Sequence, residues 1–97
     1  MVLVQNKDTF LHFVYVLYSL KDSKFYIGYT CDVDKRYAEH NNGKTASTSS
    51  RRPFKLLYYE AHLSKEDALR RETYFKSTKG RATLRQMLKG SLGGALF

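Results

Sequence analysis

Two runs of β-branched and aromatic residues near the start of the chain predict a β-hairpin. Segments 13–18 (FVYVLY) and 25–30 (FYIGYT) have the composition of strands, and the polar stretch 21–24 between them is typical of a turn. Because side chains alternate between the faces of a strand, Tyr26 and Gly28 project the same way. The missing side chain at Gly28 is expected to leave room beside the Tyr26 phenol for a phosphate.

The segment 33–40 predicts a helix that packs on this hairpin. Asp32 can cap its start, and the turn signal NNG at 41–43 ends it. Helical spacing places four residues on one face: Val33, Arg36, Tyr37 and His40. The face that docks on the sheet is therefore expected to carry Arg36 and His40 with it.

A polar loop of small residues, 43–52, follows this helix. Its composition cannot bury a core and indicates mobility. The loop ends in Arg51 and Arg52, whose guanidinium groups are candidates to contact phosphates if the loop folds over a nucleic-acid backbone. An ordinary flexible connection is the alternative.

Segment 54–60 (FKLLYYE) predicts a third strand. It is apolar on both faces in its middle, which indicates a central strand covered on both sides. The expected fold class is α/β of the α+β type, a small three-stranded mixed or antiparallel β-sheet flanked by helices.

The segment 64–67 (SKED) resembles a capping box and opens a predicted helix that runs to about residue 76 or 77. Glu72 falls in the middle of its apolar stripe, where an unpaired carboxylate would cost several kcal/mol and therefore needs a cation. The stripe consists of Ala68, Leu69 and Phe75. A divalent metal is one candidate partner, and an ion pair is the other, with Arg36, Arg70 or Arg71.

A last short helix is expected beyond Gly80, which is predicted to separate it from the helix of Glu72. Its inward residues are predicted to be Leu84, Met87 and Leu88. Basic residues outside form a candidate phosphate-contacting stripe, with a merely solvated face as the alternative. The stripe consists of Lys76, Lys79, Arg81 and Arg85.

Charge and length narrow the class of partner and the number of domains. Seventeen Lys and Arg against nine Asp and Glu give a formal net charge of +8 in 97 residues, which favours a polyanionic partner, nucleic acid first. Solvated lysines, ribosomal binding or a membrane surface are the alternatives. One compact domain is expected at residues 13–89, between an N-terminal extension of residues 1–12 and a flexible tail of residues 90–97.

Cysteine and histidine content bears on the compartment and on metals. A single cysteine, Cys31, leaves no internal disulfide and fits a reducing compartment. Three scattered histidines without a cysteine cluster argue against a zinc site, so no structural metal is expected. No signal peptide or membrane-spanning segment is predicted, which makes a cytoplasmic location the default.

The tyrosines of the hairpin and the polar residues downstream together resemble the GIY-YIG nuclease family. The resemblance covers about residues 13–88 and is greatest to the small stand-alone members, which consist of the catalytic domain and little else. Its motifs are Phe-Val-Tyr at 13–15, Tyr-Ile-Gly at 26–28, Arg36-x-x-x-His40-Asn41 and Glu72.

Two positions depart from the family pattern. Phe13 stands where the name-giving glycine usually lies, at a variable position. Tyr29 stands where repair-type members carry a lysine, so a charge they use near the base is absent here. This departure favours the stand-alone or homing-like branches and gives His40 a larger part.

The resemblance implies a role for each of five side chains in phosphodiester hydrolysis. Glu72 would be the single protein ligand of Mg²⁺ or Mn²⁺, with waters and phosphate oxygens completing the octahedron. Arg36 would hold a non-bridging phosphate oxygen, and Tyr15 would orient water or phosphate. Tyr26 is the candidate general base and His40 takes or relays the proton; which of the two is the base stays open.

Further residues are expected to contact nucleic acid around this site and on the basic surface. They are Gly28, Tyr29, Lys35, Asn41, Arg51, Arg52, Lys76, Lys79 and Arg81. DNA is the expected partner and RNA the alternative, no membrane partner is expected, and monomer and homodimer stay open.

The leading hypothesis is a metal-dependent endonuclease that hydrolyses DNA phosphodiester bonds by a one-metal mechanism. The alternative is a nucleic-acid-binding module with the nuclease fold but little cleavage of its own. A basic structural protein bound to RNA or ribosomes is a third possibility, which would need no hydroxyl at Tyr26.

Overall fold

A computed structural model describes residues 10–93 of the chain. The three strands form one antiparallel sheet in the order β2-β1-β3, and helices flank it, which confirms the α+β prediction. In chain order the elements are β1 (His12–Ser19), β2 (Phe25–Thr30), α1 (Val33–Asn41), a 3₁₀ helix (Ser49–Arg51), β3 (Phe54–His62), α2 (Lys65–Lys76), α3 (Thr78–Met87) and α4 (Lys89–Gly93).

The central strand of the sheet is β1, and the prediction that the third strand is central is wrong. Residues 13–19 of β1 are all buried, whereas β3 lies at an edge and is mostly half-buried or exposed. Helices α1 and α2 both contact β3. The apolar pattern of β3 therefore indicates that both of its faces are covered. It does not indicate whether the strand lies at the centre or at an edge of the sheet.

Each face of the sheet packs into its own hydrophobic cluster. On one face, Val14, Val16 and Ile27 pack with Phe75 of α2 and Leu84 of α3. On the other face, a smaller cluster lies beside α1 and contains Tyr15, Leu17, Phe54, Tyr26 and Tyr37. Both hairpin tyrosines of the family motif therefore face α1, while α2 and α3 cover the opposite side of the sheet.

Two predicted helix starts are confirmed. The Asp32 carboxylate accepts a hydrogen bond from the Lys35 backbone N–H at 3.1 Å, and α1 begins at the next residue, Val33. The Ser64 hydroxyl accepts from the Asp67 backbone N–H at 3.4 Å, and α2 runs from Lys65 to Lys76 as expected. These caps satisfy N–H groups that have no partner within the helix.

The boundary between α2 and α3 lies at Ser77, so the prediction that Gly80 separates them is wrong. The Ser77 hydroxyl caps α3 by accepting from the Gly80 backbone N–H at 3.0 Å. Gly80 lies inside α3, where a Cβ atom would be 1.8 Å from the carbonyl oxygen of Tyr74. The glycine is present for the close approach of the two helices, not as a helix breaker.

Two of the predicted inward residues are exposed. Leu69 is 39% exposed and Met87 is 42% exposed, whereas Ala68, Leu84 and Leu88 are buried as predicted. The apolar stripes are therefore narrower than their spacing suggests, because each helix contacts the rest of the chain along only part of its circumference.

Part of the predicted tail is helical. Residues 89–93 form α4, and Leu92 packs against the cluster of α2 and α3. The rest of the tail, residues 94–97, and residues 1–9 of the predicted extension lie outside the described part of the chain, and the domain limits stay predictions. Within residues 10–93, no helix is both long and apolar enough to cross a membrane.

Candidate active site

Tyr15 and His40 form a buried hydrogen-bonded pair where α1 docks on the sheet. Tyr15 lies in the central strand and His40 in the last turn of α1, and the two residues are 2% and 0% exposed. The Tyr15 hydroxyl oxygen is 2.9 Å from His40 Nε2. The face of α1 that was predicted to dock on the sheet does so, and it places His40 in contact with Tyr15, the first tyrosine of the family motif.

Thr48 completes this network from the loop between α1 and β3. Its hydroxyl oxygen lies 2.8 Å from His40 Nδ1, and its own proton points to the Thr45 carbonyl at 3.4 Å. A carbonyl only accepts, so the Thr48 oxygen is left to accept from His40 Nδ1–H. The network therefore assigns the proton to Nδ1 and leaves Nε2 to accept from the Tyr15 hydroxyl.

Burial keeps both members of the pair neutral at pH 7. It raises the pKa of Tyr15 to about 12, although Arg36 acts in the opposite direction. It lowers the pKa of His40 to about 4, and the Arg36 charge acts in the same direction. A neutral His40 with a free Nε2 lone pair is a proton acceptor, and the protonated Tyr15 is its donor.

The second tyrosine, Tyr26, lies on the same side of the sheet. Its ring centroid is 4.8 Å from that of His40 and 6.3 Å from that of Tyr15. Tyr26 is only half-buried, in contrast to Tyr15. Of the two phenols, Tyr26 is the one that solvent reaches.

Gly28 provides room in this site, but for a different group from the one predicted. A Cβ atom at Gly28 would lie 2.4 Å from the Tyr15 hydroxyl oxygen and 2.5 Å from Tyr15 Cζ. Gly28 is the cross-strand partner of Tyr15 and is itself buried. The space above Gly28 is therefore filled by the Tyr15 phenol, and the expected opening for a phosphate beside Tyr26 is not there.

Arg36 reaches the site from the turn of α1 that precedes His40. Its guanidinium bonds the Glu39 carboxylate at 3.0 Å and remains 33% exposed. Its charge and a hydrogen bond act on Tyr15 to lower that phenol's pKa, against the larger effect of burial. Arg36 is thus beside Tyr15, with donors still accessible to an anion.

Glu72 approaches the same site from α2, as its negative charge contributes to the raised pKa of Tyr15 after burial and the charge of Tyr26. Its side chain is only 18% exposed, and its carboxylate pairs with Lys76 at 3.0 Å. The three predicted arginine partners pair elsewhere: Arg36 with Glu39, Arg70 with Asp67 and Arg71 with Glu60. The ion-pair prediction is right in kind and wrong in partner.

The donor set suits a divalent cation of the hard type. Within residues 10–93, no group of three or more histidine, cysteine, aspartate or glutamate side chains is placed to hold a metal, so Glu72 would be a lone protein ligand. Mg²⁺ keeps several waters and takes few protein ligands. The Lys76 side chain is 52% exposed and can leave the carboxylate for solvent. Glu72 therefore fits a metal that is held mainly by water and phosphate.

Several predicted nucleic-acid contacts have other partners in this structure. The Asn41 side chain accepts from the Phe54 backbone N–H at 2.7 Å and donates to the Phe54 carbonyl at 3.0 Å. Arg51 bonds Asp22 at 2.5 Å, and Lys76 pairs with Glu72. Lys35, Arg52 and Lys79 are exposed. Arg51 and Arg81 line one recess, and the role of all these residues stays a prediction.

Tyr29 occupies the position where repair-type members carry a lysine, and a lysine approaches it from another element. Its hydroxyl lies 2.7 Å from His12 Nδ1 and 3.4 Å from Cys31 Sγ, and the latter bond, with burial, raises its pKa to about 12. Lys65 Nζ lies 5.7 Å from the Tyr29 ring centroid. The first turn of α2 thus supplies a positive charge beside this position.

Thr48 is the residue of this site that sequence reasoning missed, and the prediction that the loop buries nothing is wrong there. Thr48 is 0% exposed. It stands in the run Thr-Ala-Ser-Thr-Ser-Ser, where nothing distinguishes it from its neighbours. Only the path of the loop, which brings Thr48 beneath His40, reveals its part.

Comparison with known proteins agrees with the predicted family. The sequence model of the GIY-YIG catalytic domain matches residues 11–86. A UPF0213 protein of Staphylococcus epidermidis is 40% identical over 80 residues, 81% of this chain and 96% of the relative. UPF0213 protein YazA of Bacillus subtilis is 44% identical over 70 residues, 71% of this chain and 70% of the relative.

A solved structure shares the architecture. The solution NMR structure of a UPF0213 protein from Bacillus halodurans is 40% identical, covers 79% of this chain and 84% of its own, and has a TM-score of 0.50. The chain therefore belongs to the GIY-YIG family. Membership of this family supports a nuclease.

Proposed function

We propose that this protein is a metal-dependent endonuclease that hydrolyses phosphodiester bonds of DNA. The observation that carries the proposal is the buried hydrogen bond between Tyr15 and His40, together with the charges of Arg36 and Glu72, which both act on Tyr15.

Tyr26 is the proposed acceptor for the proton of the attacking water, because it is the phenol of the site that solvent reaches. As the water oxygen bonds to phosphorus, its proton passes to the Tyr26 oxygen, and the Tyr26 phenol gives its own proton to solvent. The buried Tyr15–His40 pair, with its 2.9 Å hydrogen bond and a neutral His40, packs beside Tyr26 and orients it. His40, whose ring centroid is 4.8 Å from that of Tyr26, is the alternative base.

Hydrolysis also requires the negative charge that develops on the phosphate to be neutralised. The guanidinium of Arg36, which is partly exposed, would donate to a non-bridging oxygen through two parallel N–H groups. Glu72 would hold Mg²⁺ or Mn²⁺. Such an ion neutralises phosphate charge and stabilises the leaving 3′ oxygen. Release of Lys76 from Glu72 would accompany its binding.

A cleavage assay with a matched pair of variants tests the proposal. Supercoiled plasmid and branched DNA are incubated with Mg²⁺ or Mn²⁺ and the native chain, Glu72→Ala or Glu66→Ala. Glu66 is an exposed carboxylate in the first turn of the same helix, so it controls for the loss of one negative charge. Nicking by the native chain and Glu66→Ala, but not by Glu72→Ala, is the expected result.

A second candidate function is a nucleic-acid-binding module with little cleavage, and the Glu72–Lys76 ion pair favours it. That pair neutralises the carboxylate without any metal. The substitution Tyr26→Phe distinguishes the two functions, because a binder does not need the hydroxyl. A nuclease should lose about 10²-fold or more in rate through Tyr26→Phe, with DNA affinity retained. DNA binding without cleavage by the native chain would favour the module.

A further inference from the structure

A recess lies at the turn end of the hairpin, away from the candidate active site. Its volume is about 640 Å³, within the usual range for small-molecule sites. We call it the hairpin pocket, and its main lining residues are Tyr18, Lys24, Phe25, Arg51, Arg81 and Arg85. Tyr18 and Phe25 belong to the cluster under α2 and α3, whereas Tyr15 and Tyr26 belong to the other. The pocket therefore opens on the opposite face of the sheet.

The hairpin pocket carries an excess of positive charge. Arg51 is neutralised by Asp22, whose carboxylate lies 2.5 Å from its Nε. The other three cations of the lining, Lys24, Arg81 and Arg85, take part in no salt bridge among residues 10–93. Two of the three are guanidinium groups one helical turn apart on α3, a spacing that suits two oxygens of one phosphate. An anion is therefore the expected ligand.

The remaining wall is aromatic and aliphatic. The Tyr18 and Phe25 rings pack edge to face with centroids 6.1 Å apart, and Leu92 of α4 closes the side. Arg85 Cζ lies 5.8 Å from the Phe25 ring centroid, so its planar group borders both the apolar wall and the charged rim. Tyr18 and Phe25 are only 8% and 7% exposed, so they form the floor of the pocket, and the Arg85 guanidinium plane beside Phe25 is the flat surface that can accept the face of a nucleobase. The lining thus suits a ligand with one phosphate and one planar apolar group.

We propose that the hairpin pocket binds a nucleotide, with its phosphate on Arg81 and Arg85. The nucleotide is either free or a unit of a strand, and these sources share the same chemistry. If the nucleotide is a unit of a strand, the pocket holds that strand outside the catalytic site, which rests on the proposed nuclease function. Binding itself does not rest on that function, because the pocket shares no lining residue with the site of Tyr15 and Glu72.

The test is a titration of the isotopically labelled 97-residue chain followed by amide NMR shifts. The probes are thymidine, thymidine 5′-monophosphate and the dinucleotide thymidylyl-thymidine. Shifts at residues 22–25 and 81–85 are expected with a phosphate-bearing probe and not with thymidine. Binding of the monophosphate alone identifies a terminal or free phosphate, and binding of the dinucleotide identifies a strand unit; either result supports the pocket.

Matched variants separate the pocket from diffuse surface charge. Arg85→Ala should weaken binding about tenfold through the loss of a charge-assisted hydrogen bond. Arg70→Ala removes the same charge from the exposed side of α2, outside the pocket, and should leave the affinity unchanged. Equal weakening by both variants, or equal binding of thymidine and its monophosphate, overturns the proposal.

NMR shifts and DNA cleavage are measured separately, so the pocket proposal and the cleavage proposal can fail independently. Amide dispersion in the same spectra shows whether Arg85→Ala is folded, and Arg81→Ala offers a second variant on an independent side chain. If the native chain cuts DNA but no phosphate-bearing probe shifts residues 22–25 and 81–85, the pocket proposal fails alone. If the probes bind there but the chain does not cut, the cleavage proposal fails alone.

Discussion

The phenol of Tyr15 lies directly over the α-carbon of Gly28 on the neighbouring strand. A Cβ atom at Gly28 would be 2.4 Å from the Tyr15 hydroxyl oxygen, closer than real Cβ contacts allow. This position of the phenol is also the one from which Tyr15 reaches His40 Nε2 at 2.9 Å. The glycine of the second motif thus determines the geometry of the residue from the first.

Gly28→Ala should therefore impair cleavage more than folding. The added methyl group displaces the Tyr15 phenol and breaks its hydrogen bond to His40, and a misplacement of about 1 Å at a reacting group can cost about 10²-fold in rate. Overpacking should lower the free energy of unfolding by about 1–3 kcal/mol. Plasmid nicking and urea denaturation measure the two effects. Unchanged nicking would show that this contact has no part in the reaction.

Thr48→Val should disturb His40 without touching the substrate. The valine removes the acceptor for His40 Nδ1–H and leaves a buried donor unsatisfied, at a cost of about 1–3 kcal/mol. The ¹⁵N shifts of the His40 ring should change from the Nδ1–H tautomer to a mixture, and the acid limb of the pH–rate profile should move. Thr48→Ser keeps the hydroxyl and should restore both. A valine variant with the native ring shifts and pH profile would refute this positioning role.

His40 should make the stability of the fold depend on pH. Its pKa is lowered from 6.5 to about 4 by burial first and the Arg36 charge second, so the unfolded chain binds the proton more tightly. Its contribution is present above pH 6.5 and is lost as the pH falls through about 4. Up to about 3 kcal/mol is expected, at 1.36 kcal/mol per unit.

Urea denaturation between pH 7.5 and 4 of the native chain and of His40→Gln measures this contribution. The substitution removes the titrating group, so the stability difference between the two proteins should shrink as the pH falls. Asp22, whose pKa is lowered to about 2 chiefly by the Arg51 hydrogen bond, keeps its stabilising contribution above about pH 4 and loses it only below that pH, equally in both proteins. A constant difference over this range would contradict the buried, neutral state of His40.

Gly80→Ala should destabilise the protein even though alanine favours helices by about 1 kcal/mol. The new Cβ atom would lie 1.8 Å from the Tyr74 carbonyl oxygen, so α3 must move away from α2. A loss of about 1–3 kcal/mol in unfolding free energy is expected. Gly90→Ala, also in a helix but with nothing within 4 Å of its Cβ position, is the control and should be neutral or stabilising.

Local signals explain which elements were predictable. The β-rich runs, the Asp32 cap and the Ser64 capping box are read from neighbouring residues, and the structure places each where the pattern predicts. The end of α2 at Lys76 was predicted, but the start of α3 was placed beyond Gly80 because the sequence does not show whether a glycine breaks a helix or packs inside one. The exposure of Leu69 and Met87 depends on how much of each helix surface is covered by the rest of the chain. The spacing of apolar residues does not carry that information.

The sequence by itself determined the strand and helix types, the basic surface and five motif residues, because periodicity, caps and charge are local properties. Tertiary structure alone decided that β1 is central, that Tyr15 lies over Gly28, and that Thr48 holds His40. It also decided that Glu72 pairs with Lys76 rather than an arginine. Each of these contacts depends on which surfaces meet when segments distant in sequence pack together. The arrangement that forms is the one that buries the most apolar surface over the whole fold.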